Sequence, residues 1–178
     1  NLAEKHPDKK IIFLGIGFET TTPGSAAGII QAHQRGLENF YFLSAHKIMP
    51  PAMAALIDEG VKIDGYIGPG HVSTITGSDM YRPVAEKYGL GVVISGFEPV
   101  DLLQSILMLV RQIENNDQKV EIQYRRAVKT QGNPKAKKMM DEVFELRGDW
   151  WRGLGMLPNS GLKLKEKYHH FDAEEMIP

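Results

Sequence analysis

The sequence predicts an α/β fold: a doubly wound, mainly parallel sheet in three layers, with an appended C-terminal αβ segment. Three observations predict it. Short apolar runs bounded by Gly or Pro alternate with amphipathic stretches through the first two thirds of the chain. The runs are nearly continuous in apolar residues, as strands covered on both faces are. The stretches between them are long enough for helical, right-handed crossovers joining parallel neighbours.

Taken in order, residues 11–18, 40–45, 63–67 and 91–95 are rich in β-branched and aromatic residues and read as strands. Residues 24–36, 51–60 and 82–88 read as the helices between and after them. Residues 99–116 form the clearest helix, because Leu103, Ile106, Leu107, Val110 and Ile113 keep helical spacing. After Asn115-Asn116-Asp117 the texture changes. Residues 120–128 suit a strand, 134–146 a helix with Lys and Glu on its outer face, and 161–168 a short strand. The expected organisation is therefore a Rossmann-like α/β domain over 1–117 and an appended αβ segment over 118–178. That segment packs either on the same sheet or on a neighbouring domain outside the sequence.

Composition narrows the function. With 178 residues, 42% hydrophobic and 24% charged, the chain can bury a sizeable core. Lys plus Arg total 21 against 22 Asp plus Glu, a formal net charge of -1, so no basic field is available for a nucleic-acid backbone. No apolar run approaches the roughly 20 residues needed to span a bilayer, and the first ten residues are polar, not signal-like. A cytoplasmic protein without membrane contact is the expectation. There is no cysteine, which removes disulfides, thiolate metal sites and thiol chemistry from this segment. The absence of an initiating Met suggests a piece of a longer chain.

Following each predicted strand to its carboxyl end collects the polar residues. The segments are Gly17-Phe18-Glu19-Thr20-Thr21-Thr22-Pro23, Ser44-Ala45-His46-Lys47, Gly68-Pro69-Gly70-His71-Val72-Ser73 and Gly96-Phe97-Glu98-Pro99. In an open parallel sheet these ends share one edge, where loops and helix N-termini hold ligands. Thr20, Thr21 and Thr22 precede a proline suited to a first helical turn, so one hydroxyl can cap while the others face a ligand, and free N–H groups there favour an anion. A plain capped turn with Glu19 solvated accounts for the same residues. His46 and His71 taken singly read as satisfied loop or core histidines. Their shared place at strand ends raises a different reading, in which they and Glu98 relay protons or hold a polar ligand.

Other features point less far. Gly68-Pro69-Gly70 permits close backbone approach but lacks both a dinucleotide fingerprint and a Lys-Ser/Thr phosphate loop. Trp150 and Trp151 beside Arg152 read as a buried plug or a partner site, the buried reading being preferred. His169 and His170 are adjacent, so on an extended chain they point apart, and they read as surface residues.

Together Gly15-Ile16-Gly17-Phe18-Glu19-Thr20-Thr21-Thr22-Pro23, Gly68-Pro69-Gly70-His71-Val72-Ser73, Gly96-Phe97-Glu98-Pro99 and Trp151-Arg152-Gly153-Leu154-Gly155 resemble the HypD hydrogenase formation proteins. The resemblance spans essentially the whole chain. It implies a middle-to-late piece of a longer protein, between N-terminal cysteine motifs and a C-terminal cysteine cluster. It further implies two α/β domains around a cleft, and a scaffold on which the Fe(CN)2CO unit of [NiFe]-hydrogenases is built with a HypC-like chaperone and a HypE-like cyanide donor. By the same resemblance, Glu19, Thr20, Thr21, Thr22, His71, Ser73 and Glu98 line or support that cleft without being iron ligands. Iron and a [4Fe-4S] cluster are expected of the full-length protein, and neither a cofactor nor a metal site of this segment. The residues alone leave two other classes open: an α/β enzyme of acyl or phosphoryl transfer, for which no nucleophile with an adjacent base is evident, and a small-molecule-binding domain. A maturation scaffold is preferred over an independent enzyme.

Overall fold

The computed structural model describes residues 1–176. It is an α/β protein, as the strand and helix alternation predicts, but its strands do not join in one sheet. The chain divides into two units, residues 1–48 with 135–178, and residues 49–134.

The first unit begins with one helical turn, α1 (Leu2–Lys5), followed by β1 (Ile11–Gly17), α2 (Thr22–Gln34) and β2 (Phe40–His46). β1 and β2 pair in parallel from Ile11 opposite Phe40 to Gly17 opposite His46. α2 is their crossover. Pro23 sits in its first turn, where a missing N–H costs nothing, and Thr22, Ala26, Ile29 and Ala32 recur on one buried face. The chain returns through α7 (Pro134–Val143) into an antiparallel hairpin of β6 (Phe144–Trp151) and β7 (Gly155–Leu164). Gly153 turns the hairpin at φ 86°, a conformation suited to glycine. Phe42, Phe144, Val143, Leu164, Tyr168 and Phe171 form the core, closed by a 3-10 turn over Glu166–Phe171.

The second unit runs α3 (Met49–Asp58), β3 (Gly65–Pro69), α4 (Gly70–Thr76), a 3-10 turn at Asp79–Tyr81, α5 (Arg82–Tyr88), β4 (Gly91–Ser95), α6 (Pro99–Glu114) and β5 (Val120–Ile122). Its sheet is parallel with order β3-β4-β5. All five residues of β4 are buried, as expected of a parallel strand with a neighbour on each side. Met53, Tyr81, Val84, Val92, Ile94 and Val128 form the core.

Three expectations change here. A single sheet through the four predicted strands does not form, because the side of β2 away from β1 is taken by the hairpin. Lys47 bridges Gly161, the Ile48 N–H donates to the Ser160 carbonyl at 3.0 Å, and the Ser44 hydroxyl donates to the Leu162 carbonyl at 2.6 Å. The expected break after residue 117 falls inside the second unit, since β5 completes the β4 sheet, whereas α7 and the hairpin return to the first unit. The helix expected to reach residue 146 stops at Val143, where alternating burial begins at Phe144.

Candidate functional site

Each parallel sheet brings its own strand ends to one edge. In the first unit the register sets Gly17 opposite His46, and the Lys47 N–H donates to the Gly17 carbonyl at 2.9 Å, so the chains leave β1 and β2 side by side. Gly17 has φ 147°, and a Cβ there would lie 2.2 Å from the Thr21 hydroxyl oxygen, so only glycine permits the tight descent into Phe18-Glu19. Glu19 is buried at 2% exposure, contrary to a solvated turn residue.

The three threonines do not divide into one cap and two free hydroxyls. Thr21 is the N-cap position but adopts helical dihedrals and makes no side-chain cap. Its hydroxyl and that of buried Thr22 each donate to the Phe18 carbonyl at 3.0 Å. They tie the strand-to-helix turn together, leaving their lone pairs to accept, and Thr20 is exposed.

His46 is fully buried. Its ring stacks on Phe42 with centroids 5.8 Å apart and meets Phe144 at 5.9 Å, and this burial pushes its pKa below the ordinary value. Ser25 Oγ lies 3.4 Å from Nε2, a pairing of hydroxyl and imidazole that sequence spacing did not reveal. It lacks the third member of a nucleophilic relay, because Nδ1 has no hydrogen-bond partner among the described residues.

Beside His46 the hairpin adds a charge network that reading by strand ends missed. The Lys47 ammonium is 2.6 Å from Asp149 Oδ2, Arg147 lies 3.5 Å from the same oxygen, and Arg147 reaches Glu174 at 2.7 Å. Although burial opposes ionisation, the Lys47 hydrogen bond and Arg147 leave the Asp149 pKa below the usual carboxylate value. Phe18 packs against Trp151 with ring centroids 6.1 Å apart. Trp151 is half-buried, but Trp150 is 68% exposed, so the pair is not the plug expected. His169 and His170 do lie near the surface, where His169 contacts Glu175 at 2.6 Å.

In the second unit β3 ends in Gly68-Pro69-Gly70 and β4 in Gly96-Phe97-Glu98. A Cβ on Gly70 would stand 2.4 Å from the Ser95 carbonyl, and one on Gly96 would stand 2.0 Å from Asp101 Oδ2, so both glycines allow close approach at this edge. Ser73 is buried: its hydroxyl donates to the Pro69 carbonyl at 2.8 Å and can accept from the Tyr81 hydroxyl, 3.3 Å away, a supporting role. His71 is exposed, with its ring against Phe97 at 4.1 Å between centroids. Exposed Glu98 starts α6 in a capping box: its side chain accepts the Asp101 N–H, and Asp101 Oδ2 accepts the Glu98 N–H at 3.3 Å. Arg126 grips Asp101 with two bonds of 2.8 and 2.5 Å and lies 3.9 Å from Glu98. The Arg126 and Gln123 hydrogen bonds hold the Asp101 carboxyl far below the usual range. The structure therefore places His71 and Glu98 after neighbouring strands at one sheet edge and Glu19 and His46 after neighbouring strands at another, each within its own unit.

The HypD family profile, described as "Hydrogenase formation hypA family", matches residues 1–178. The chain belongs to the HypD family. It is 49% identical to hydrogenase maturation factor HypD1 of Bradyrhizobium diazoefficiens over 97% of its length and 48% of that protein's. It is also 49% identical to hydrogenase maturation factor HypD of Azotobacter vinelandii, with the same coverage of both. Against the HypD of Cupriavidus necator the identity is 43%, over 98% of this chain and 48% of that protein. The chain spans about half the length of the curated relatives it matches. Within this half of a HypD protein, residues 1–178 contain no thiolate donor for an iron-sulfur cluster. Among the described residues, no three of His, Asp and Glu converge as a metal site. No helix of the described residues is long and apolar enough to cross a membrane.

Proposed function

We propose that residues 1–178 are part of a cytoplasmic scaffold in [NiFe]-hydrogenase maturation, on which the Fe(CN)2CO unit is assembled with a HypC-like chaperone and a HypE-like cyanide donor. In this reading the iron unit is cargo, and the thiolates that hold it, together with a [4Fe-4S] cluster, belong to other parts of the protein. The residues of this half present polar and aromatic surface at the carboxyl ends of their strands. His71, Phe97 and Glu98 offer an imidazole, an aromatic face and a carboxylate to solvent, while Thr21, Thr22, Ser73 and the Arg126–Asp101 pair stiffen the turns behind such groups.

The observation that carries the reading is the family match over the whole chain, combined with the exposure of its motif residues His71, Phe97 and Glu98 at strand ends. The imidazole and carboxylate suit proton transfer or hydrogen bonding to a polar cargo. The test is to purify the full-length protein anaerobically with both partners and record its infrared spectrum. Cyanide and carbon monoxide stretches on a complex containing the full-length protein and the HypC-like chaperone are expected. A complex that forms but never carries those bands under maturing conditions would contradict the scaffold reading.

A further inference from the structure

The second unit holds a polar cleft that none of the strand-end residues His71, Phe97 and Glu98 lines. Its volume is about 400 Å³, within the size class of small-molecule sites. Ser78 and Arg82 bound it on one side, and Val120, Ile122 and Arg125 on the other. Both arginines are held from behind. Arg82 Nε lies 2.9 Å from Asp79 Oδ1, and Arg125 Nε donates to the Ile122 carbonyl at 3.1 Å. Because each bond uses Nε, the terminal Nη groups of both side chains have no partner among the described residues. A guanidinium fixed in this way offers a planar fork of N–H donors that matches two oxygens of an oxyanion.

Ser78 gives an independent sign of a ligand. It lines the cleft at 6% exposure, makes no cap bond to the 3-10 turn it precedes, and its hydroxyl has no hydrogen-bond partner among the described residues. A buried hydroxyl left unpaired costs free energy, and an acceptor atom in the cleft would recover it. The acidic side chains of the lining are already engaged: Asp79 by Arg82, and Glu121 by the Gln112 amide at 2.7 Å. Val120 and Ile122, both half-buried, add an aliphatic wall. A strand added along β5 fits this place less well, because Arg125 already covers the Ile122 carbonyl.

We propose that this cleft binds a phosphate monoester, its phosphoryl oxygens held by the forks of Arg82 and Arg125 with the Ser78 hydroxyl donating to one of them, and its carbon body against Val120 and Ile122. Two guanidinium groups suit the dianion of a monoester better than the single charge of a carboxylate. The cleft has more room than inorganic phosphate fills, and its aliphatic wall offers that ion nothing, so an ester is the better occupant.

Titration calorimetry on the full-length protein tests this with three probes: phenyl phosphate, inorganic phosphate and benzoate, at about pH 7.5, where the monoester is a dianion. Phenyl phosphate should saturate one site with a Kd of about 1 mM or tighter, and benzoate should bind at least about tenfold more weakly. No saturation by phenyl phosphate up to about 10 mM would overturn the proposal, as would benzoate binding equally well. Inorganic phosphate should compete for the site with lower affinity. Equal affinity would overturn the assignment of an ester, since the carbon body would then make no contact. Arg125→Gln should weaken phenyl phosphate by about tenfold or more, and Ser78→Ala by about threefold or more. The Arg125 side chain bonds only the Ile122 carbonyl among the described residues, so its loss should leave Tm without ligand unchanged. Unchanged affinity in both variants would put the binding elsewhere and overturn the proposal.

Discussion

β4 and β1 are strands of the same kind with opposite fates. Each is a short apolar run with a glycine at its carboxyl end, each enters a parallel pairing, and each delivers a motif turn there. β4 lies between β3 and β5 and buries every residue, while among the described residues β1 has one strand neighbour, and of its own residues it buries only Gly15. The difference lies in their neighbours, not in the strands themselves. It teaches that apolar continuity in a sequence reports the burial a strand needs, which the chain in hand supplies for β4 and not for β1.

Substitutions can break or sharpen this comparison. Ile94→Asp places a charge at a fully buried position of β4 and should cost more than about 4 kcal/mol, enough to unfold the second unit. Urea denaturation followed by circular dichroism would measure it. Ile16→Asp on β1 should shift the same curve by no more than about 0.5 kcal/mol in residues 1–178. A large effect there would mean that β1 is already covered. Next in size is Phe42→Ala, which removes the ring between Phe13, His46 and Phe144 and should cost about 3–5 kcal/mol in the first unit. Trp150 and Trp151 make intrinsic fluorescence a reporter of that unit.

Glycines give a smaller contrast of opposite sign. Gly70→Ala drives a Cβ toward the Ser95 carbonyl and should destabilise by about 1–3 kcal/mol, while Gly24→Ala in residues 1–178 should stabilise by up to about 1 kcal/mol. Calorimetry on the two variants checks both signs. The smallest effect is a slope with pH. His46 has a folded pKa below its ordinary value, so its contribution is fully present above the unfolded value of about 6.5 and is lost as pH falls through the folded one. His46→Phe should flatten part of the stability loss below about pH 6.5, His170 keeping its share because burial also lowers its pKa.

Much of the local structure was legible in the sequence. β4 and α5 follow their expected bounds of 91–95 and 82–88, and β1 and β2 differ from theirs by a residue. Strand pairing was not legible, because the choice between β3 and the hairpin as the second neighbour of β2 depends on residues more than a hundred positions away. The apolar spacing of α6 marked a helix but misled about its facing. Asp101, Ser105 and Gln112 are the buried side, and Leu103 is 67% exposed. The buried side is polar because Asp101 serves Arg126 and Gln123, and Gln112 serves Glu121 and the Lys119 N–H. At the site, the four strand ends expected along one edge belong to two separate parallel sheets, one in each unit. Asp149, Arg147 and Ser25 were missed, since their partners are set by tertiary approach and not by spacing.

The central claim is that the solvent-facing residues at these strand ends serve the proposed role in hydrogenase maturation. His71 tests it most directly, because it is exposed with its ring against Phe97, and among the described residues no hydrogen bond of its side chain holds a turn. The measurement is hydrogenase activity in cells lacking the native HypD protein and supplied with the full-length His71→Gln variant, alongside Tm and the amount of the purified variant. The account predicts at least about a tenfold loss of activity, or about 1.4 kcal/mol, with Tm and abundance unchanged. Full activity at unchanged Tm would contradict it.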